Sequence, residues 1–195
     1  KTKGNWVEST PENRVFLFLQ GPHGPFFNRL GRMLRKAGSQ VWRVGFNAGD
    51  RAFWFHQTTY IPFRGKSDEW AQAFIDLIEE KGVTDIVLYG DTRPIHASAV
   101  KEAKRRGLGV HVFEEGYMRP FWITYERGGT NGNSRLMDMT IPQMQKALSN
   151  SDMETPLPPA HAGAICAITY FTGHYIIGSL CFGMATIAIS ALIAA

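Results

Sequence analysis

Val110-His111-Val112-Phe113-Glu114-Glu115-Gly116-Tyr117-Met118-Arg119-Pro120 decides how this chain is read. Val110 to Phe113 is a largely apolar run of strand length, and two carboxylates follow it without a break. Adjacent acids backed by an arginine make a poor core. They make a good binding edge, because open α/β sheets hold their ligands beyond the carboxyl ends of the strands. A strand end with two solvated acids is the plain alternative, and the sequence upstream weighs against it.

Three earlier segments repeat the apolar run: Arg14 to Leu19, Val41 to Phe46, and Asp85 to Tyr89. Short, nearly continuous apolar stretches of this kind are strands covered on both faces. Helical patterns separate them. Phe26, Phe27, Leu30, Met33 and Leu34 share one helix face, Arg29, Arg32, Arg35 and Lys36 the other, and Gly38 stops the helix. Over Asp68 to Lys81, Trp70, Phe74, Leu77 and Ile78 recur at helical spacing before Gly82. A third helix over Ile95 to Arg106 is expected to turn Ala97, Val100 and Ala103 inward. Asn47 to Lys66 is aromatic-rich without a clear period and reads as a loop. Regular alternation of strand and helix predicts the α/β class, a Rossmann-like parallel sheet flanked by helices.

Around this domain, expected over residues 14–135, the sequence divides further. Residues 1–13 form a polar N-terminal segment, 136–160 a linker rich in Met, Pro, Ser and Asn, and 161–195 an apolar helical tail. Ile176 to Ala195 is long and apolar enough to cross a bilayer as one helix, since about 20 residues suffice; a buried helical pair is the alternative. Lys1 to Arg14 has no apolar core, so no signal peptide is expected in this stretch. The 195 residues are 44% apolar and 19% charged with a net charge of +4, which is a globular composition. Basic residues are dispersed except for Lys101, Lys104, Arg105 and Arg106 on one predicted helix. That cluster reads as a solvated face, so nucleic acid is not expected as a partner. A weakly basic surface suits anionic lipid head groups or an anionic sugar nucleotide. Both cysteines, Cys166 and Cys181, lie in the tail and form neither a disulfide framework nor a metal motif, which makes a cytoplasmic setting the default.

In a parallel sheet the polar turns at the strand ends converge on one rim. Gln20-Gly21-Pro22-His23-Gly24-Pro25 lets backbone approach a ligand and opens a helix whose N–H groups face an anion, with His23 and Gly24 as binding candidates. A plain turn explains its glycines equally well. In Gly90-Asp91-Thr92-Arg93-Pro94-Ile95-His96, Asp91 reads first as a helix cap, and Arg93 and His96 as rim residues. At the third turn Glu114, Glu115 and Arg119 are the catalytic candidates. A carboxylate there could be nucleophile, general base or ribose binder, and Arg119 could pair with an anionic substrate. Periodicity does not choose among these roles. No metal site is expected.

Three motifs in order, Phe16 to Phe27, Tyr89 to His96 and Glu114 to Pro120, resemble the bacterial capsular polysaccharide biosynthesis/export family of the KpsS/LipB type. The likeness runs from about Arg14 to Ser134. It implies the N-terminal half of a GT-B-like, retaining β-Kdo glycosyltransferase, which uses CMP-Kdo as donor and needs no cofactor. The acceptor implied is a phosphatidylglycerol-type lipid at the inner face of the cytoplasmic membrane, where the linker begun on it carries a capsule polymer to the export machinery. Related linker-extending enzymes carry an Asp nucleophile in a similar Glu-Asp-Gly-Phe-Leu-Arg setting, which puts Glu115 at the nucleophile position. Arg119 would then position the Kdo carboxylate. Glu114, His23, Asp91, Arg93 and His96 would line the acceptor side, with Gly24 and Asn131 as further contacts. Past Tyr175 the sequence departs from the family, which continues into a nucleotide-binding second domain. A truncated chain, inactive alone, is therefore expected. A non-enzymatic, membrane-associated accessory of polysaccharide export is the alternative.

Overall fold

The computed structural model describes residues 13–116 and 123–149. The N-terminal segment over residues 1–12, Arg119 and the apolar tail lie outside the described residues. Six strands form one sheet: β1 (Val15–Phe18), β2 (Gln40–Gly45), β3 (Tyr60–Pro62), β4 (Asp85–Tyr89), β5 (Gly109–Glu115) and β6 (Ile123–Arg127). Their spatial order is β3-β2-β1-β4-β5-β6. The first five run parallel and β6 returns antiparallel to β5, with Glu115 opposite Ile123. This is the strand order of doubly wound α/β sheets, in which the chain reverses direction between β1 and β4.

Five helices accompany the strands among the described residues: α1 (Phe26–Lys36), α2 (Ala48–Ala52), α3 (Trp70–Lys81), α4 (Pro94–Arg105) and α5 (Ile141–Ser149). The strands' alternation sends their side chains to two cores. On one face Phe16, Phe18, Val87 and Phe113 meet Phe26, Phe27, Leu30 and Leu34 of α1, with Trp54 closing the group. On the other, Leu17, Ile86, Leu88 and Val112 meet Trp70, Phe74 and Ile78 of α3 and Ala99 and Ala103 of α4. Both faces of the central strands are therefore covered, as their unbroken apolar runs predict. Gly82 ends α3 at φ +61°, a left-handed conformation that an L side chain adopts only with strain.

The structure corrects several local expectations. Asn47 to Lys66 is not an unstructured loop: it holds α2, a 3-10 turn and the edge strand β3. Its aromatics serve two cores at once, Trp54 on the α1 side and Phe63 against Trp70 and Phe46 on the other, so no single period emerges. On α4 it is His96, Ala99 and Ala103 that are buried, while Ala97 is exposed. Within the stretch read as linker, residues 141–149 are helical. Among the described residues no helix is long and apolar enough to cross a membrane.

Candidate functional site at the carboxyl edge of the sheet

Where the strand order reverses, the turns after β1 and β4 diverge and leave a cavity of about 470 Å³. Gln20 to His23 form one wall, Tyr89, Gly90, Thr92 and Arg93 a second, and Glu114, Glu115 and Ile123 a third. The far side comes from β2 and α2 through Arg43, Asn47, Asp50 and Phe53. Ligands of doubly wound sheets bind at this switch point. β5 runs through both acids, so alternation sends Glu115 to the α1 side after Phe113 and Glu114 to the opposite side. Glu114 Oε2 stands 3.3 Å from where a Cβ on Gly90 would lie. Gly90 itself has φ +70°, a left-handed conformation that keeps this position free of a side chain.

The cations reach the cavity by different routes. Arg93, at the N-cap of α4, donates from its guanidinium to Gln20 Oε1 at 2.6 Å and so links the turns after β1 and β4. Arg43 is only 2% exposed. Its guanidinium donates to Asp50 Oδ1 at 2.8 Å and lies over the rings of Phe27 and Trp54. Burial lowers its pKa, which the adjacent Asp50 charge partly restores. Asp50 Oδ2 accepts from Phe46 N–H at 3.0 Å, and Asp50 N–H donates to Asn47 Oδ1 at 2.9 Å as α2 begins. Asp50 is therefore spent on holding Arg43, whereas the two glutamates are half-buried on the cavity wall.

The sequence candidates thus divide. His23, Arg93, Glu114 and Glu115 share the cavity; Gly24, Asp91, His96 and Asn131 do not line it. Asp91 is buried and caps nothing. Its Oδ2 accepts from Thr130 N–H at 3.0 Å and Asn133 Nδ2 at 3.1 Å, which ties the turn after β4 to the turn after β6. The start of α4 has no side-chain cap, and Pro94 at its first turn removes one N–H that would need one. His96 lies fully buried beneath the wall, with Nδ1 2.5 Å from the Gly90 carbonyl. Burial above all pushes its pKa down to about 4, so at neutral pH it is uncharged and Nδ1–H donates to Gly90. It shapes the turn without touching the cavity. Asn131 is exposed, at φ 52° in the turn after β6. Sequence reasoning missed Arg43, Asn47 and Asp50. The arginine interrupting Val41-Trp42-Arg43-Val44 was the available signal, since a charge inside a buried strand needs a partner.

Fold and crevice together define a doubly wound α/β domain whose switch-point cavity is lined by adjacent carboxylates and arginines. Residues 84–163 match the family described as capsule polysaccharide biosynthesis protein. The chain is 37% identical over 134 residues to the capsule polysaccharide export protein KpsS of Escherichia coli, covering 69% of this chain and 34% of that protein. To the capsule polysaccharide modification protein LipB of Neisseria meningitidis, in a serogroup A and a serogroup B strain, it is 36% identical over 163 residues. That match covers 82% of this chain and 38% of LipB. The chain belongs to the capsule polysaccharide biosynthesis family, of the KpsS/LipB type, and spans little more than a third of these relatives' length.

Proposed function

We propose that this chain is the acceptor-side half of a GT-B-like, retaining β-Kdo glycosyltransferase, moving Kdo from CMP-Kdo to a phosphatidylglycerol-type lipid at the inner face of the cytoplasmic membrane. The lipid-linked product would pass to the capsule export machinery. The observation that carries this reading is the pair Glu114 and Glu115 on one cavity with Arg43, Arg93 and His23. In the first step the Glu115 carboxylate attacks the anomeric carbon, and the bond to CMP breaks with its electron pair leaving on the phosphate. In the second, an acceptor hydroxyl attacks the same carbon, the ester bond to Glu115 breaks, and Glu114 or His23 takes the hydroxyl proton. Two inversions retain configuration, by the logic of retaining glycosidases. Arg93 supplies positive charge to an acidic sugar or to the phosphate of the lipid, while Arg43, paired with Asp50, shapes the wall behind it. Arg119 takes the Kdo carboxylate.

Glu115→Gln, made in the intact protein that carries this domain, tests the assignment. Transfer from CMP-Kdo is expected to fall by at least about 1,000-fold, the usual scale for loss of a nucleophile. Thermal unfolding should stay within about 1 kcal/mol of the parent, because the side chain sits at a cavity wall rather than in a core. Normal turnover would remove Glu115 from the chemistry and leave an accessory role in export.

A further inference from the structure

Charge is segregated along this chain in a way its small net value conceals. Residues 13–67, which build β1, α1, β2, α2 and β3, contain nine Lys and Arg against one acid, Asp50. Asp50 is buried in its ion pair with Arg43. Residues 68–149 contain ten cations against twelve acids. Arg14 and Arg43 are buried in ion pairs with Asp85 and Asp50, so seven cations and no carboxylate remain to give this half of the sheet its basic surface.

We propose that the face formed by α1 and the turn after α2 rests on a bilayer containing anionic phospholipid, with Phe55 set among the head groups. Phe55 is 67% exposed, the most exposed phenylalanine in the described core domain's turns, and its N–H donates to Asn28 Oδ1 of α1 at 2.9 Å. Arg32 and Lys36 follow Asn28 at helical spacings of four and eight, which places them along the same side of α1. Both are exposed, and no salt bridge involves either among the described residues. Arg35 lies over the Trp54 ring, and burial together with the charge of Arg32 lowers its pKa. Exposed Arg51 and His56 flank Phe55. Cations around a protruding aromatic ring fit a lipid interface, where the ring enters the head-group layer and each cation near the surface adds about 1 kcal/mol.

The other cationic cluster differs in kind. On α4, Arg105 and Arg106 are held by Glu102, and Arg106 also by Glu79. No aromatic ring protrudes beside them among the exposed large hydrophobics. The α1 face also borders the cavity, since Phe26 at the start of α1 and Phe53 just after α2 both line it. A head group held in the membrane plane would lie beside that opening. The inference rests on the lipid-acceptor reading for its choice of surface, but on charge and exposure rather than on Glu115 for its location.

Co-sedimentation of the full 195-residue chain with vesicles tests it, comparing phosphatidylcholine alone with phosphatidylcholine containing about a third phosphatidylglycerol. Arg32→Gln/Lys36→Gln is expected to weaken binding to the anionic vesicles about 25-fold, from roughly fivefold per cation. Phe55→Ser should also weaken it, and Lys101→Gln/Lys104→Gln on α4 should not. Glu115→Gln should bind vesicles normally whether or not it transfers sugar, which separates failure of this inference from failure of the enzymatic reading. Circular dichroism confirms that each variant is folded. Equal binding to both vesicle types, unchanged by the α1 substitutions, would overturn the proposal. So would tight binding to a soluble polyanion such as dextran sulfate without binding to anionic vesicles, which would assign the face to a polymer.

Discussion

The two ends of this sheet carry the same kinds of side chain and use them in opposite ways. At the amino edge, Asp85 accepts from Arg14 twice, at 2.5 and 3.0 Å, from Thr84 at 2.6 Å and from His111 Nε2 at 2.8 Å. His111 Nδ1 in turn accepts from the Tyr125 hydroxyl at 2.7 Å. Arg14, Asp85 and His111 are all buried, and the group ties β1, β4, β5 and β6 together. At the carboxyl edge, Glu114, Glu115, His23 and Arg93 border open space. A histidine–aspartate pair alone therefore says little about chemistry. What separates the two edges is access: the amino-edge acid is sealed in the interior, whereas the carboxyl-edge acids line a cavity that a ligand could enter.

The largest expected effect tests that contrast directly. Asp85→Ala removes the buried carboxylate that balances the Arg14 charge, and breaking a buried pair in this way costs about 3–5 kcal/mol. Urea unfolding would measure it. An effect below about 1 kcal/mol would show that the amino-edge network is not structural, and the contrast with Glu115→Gln would collapse.

Next in size is the response to acid. The folded pKa of His96 is about 4 against an ordinary 6.5. The unfolded chain therefore binds a proton that the folded chain refuses between those values. Stability is whole above about pH 7 and falls as pH drops through that window, by roughly 3 kcal/mol at about 1.4 kcal/mol per unit. His111, whose pKa is also lowered by burial, adds a loss of the same sign. Asp85 acts lower down. Burial would raise its pKa, but hydrogen bonds from His111 and Arg14 outweigh that and hold it depressed, so its contribution is lost only as pH falls below the ordinary carboxylate range. Replacing His96 with Gln should flatten the slope between pH 7 and 4.5 in chemical-denaturation midpoints. An unaltered slope would place the proton uptake elsewhere.

The strands that face two cores were legible because burial on both sides leaves an unbroken apolar run, and β4 falls at Asp85–Tyr89 as read. The parallel order of the first five strands followed from their alternation with helices. β3 was not legible: it is three residues long, ends in Pro62 at the sheet edge, and so has no room to show a period. β6 is half-buried throughout, which removes the contrast between faces that pattern reading needs. The convergence of Gln20 to His23, Arg93 and the glutamates could be anticipated from topology, since parallel strands bring their carboxyl ends together. Asp91 could not be placed that way. An acid three residues before a helix's first proline looks like a cap, and only the fold brings Thr130 and Asn133 to it.

Tyr125→Phe probes the amino edge more gently. Burial raises the Tyr125 pKa to about 12, so the hydroxyl keeps its proton and donates to His111. Deleting it leaves the buried His111 Nδ1 without that donor, at a cost of about 1 kcal/mol. Coupling to Asp85→Ala in a double-mutant cycle would be expected, because the two belong to one network. Strict additivity would mean that Tyr125 merely packs beside the network.

Arg93→Gln should be the smallest perturbation of the fold and serves as the counterpart at the carboxyl edge. Its bond to Gln20 joins the turns after β1 and β4, but both groups are on the surface side of the cavity and exposed to water. Exposed polar links of this kind contribute no more than about 0.5–1 kcal/mol, so the unfolding midpoint should barely move. The consequence belongs to the cavity: without the Arg93 charge an anionic substrate should bind more weakly, so in the transfer proposed for the intact protein KM should rise more than kcat falls. Loss of stability comparable to Tyr125→Phe with unchanged KM would make Arg93 a structural tie like Arg14, and the two ends of the sheet would no longer differ in how they use arginine.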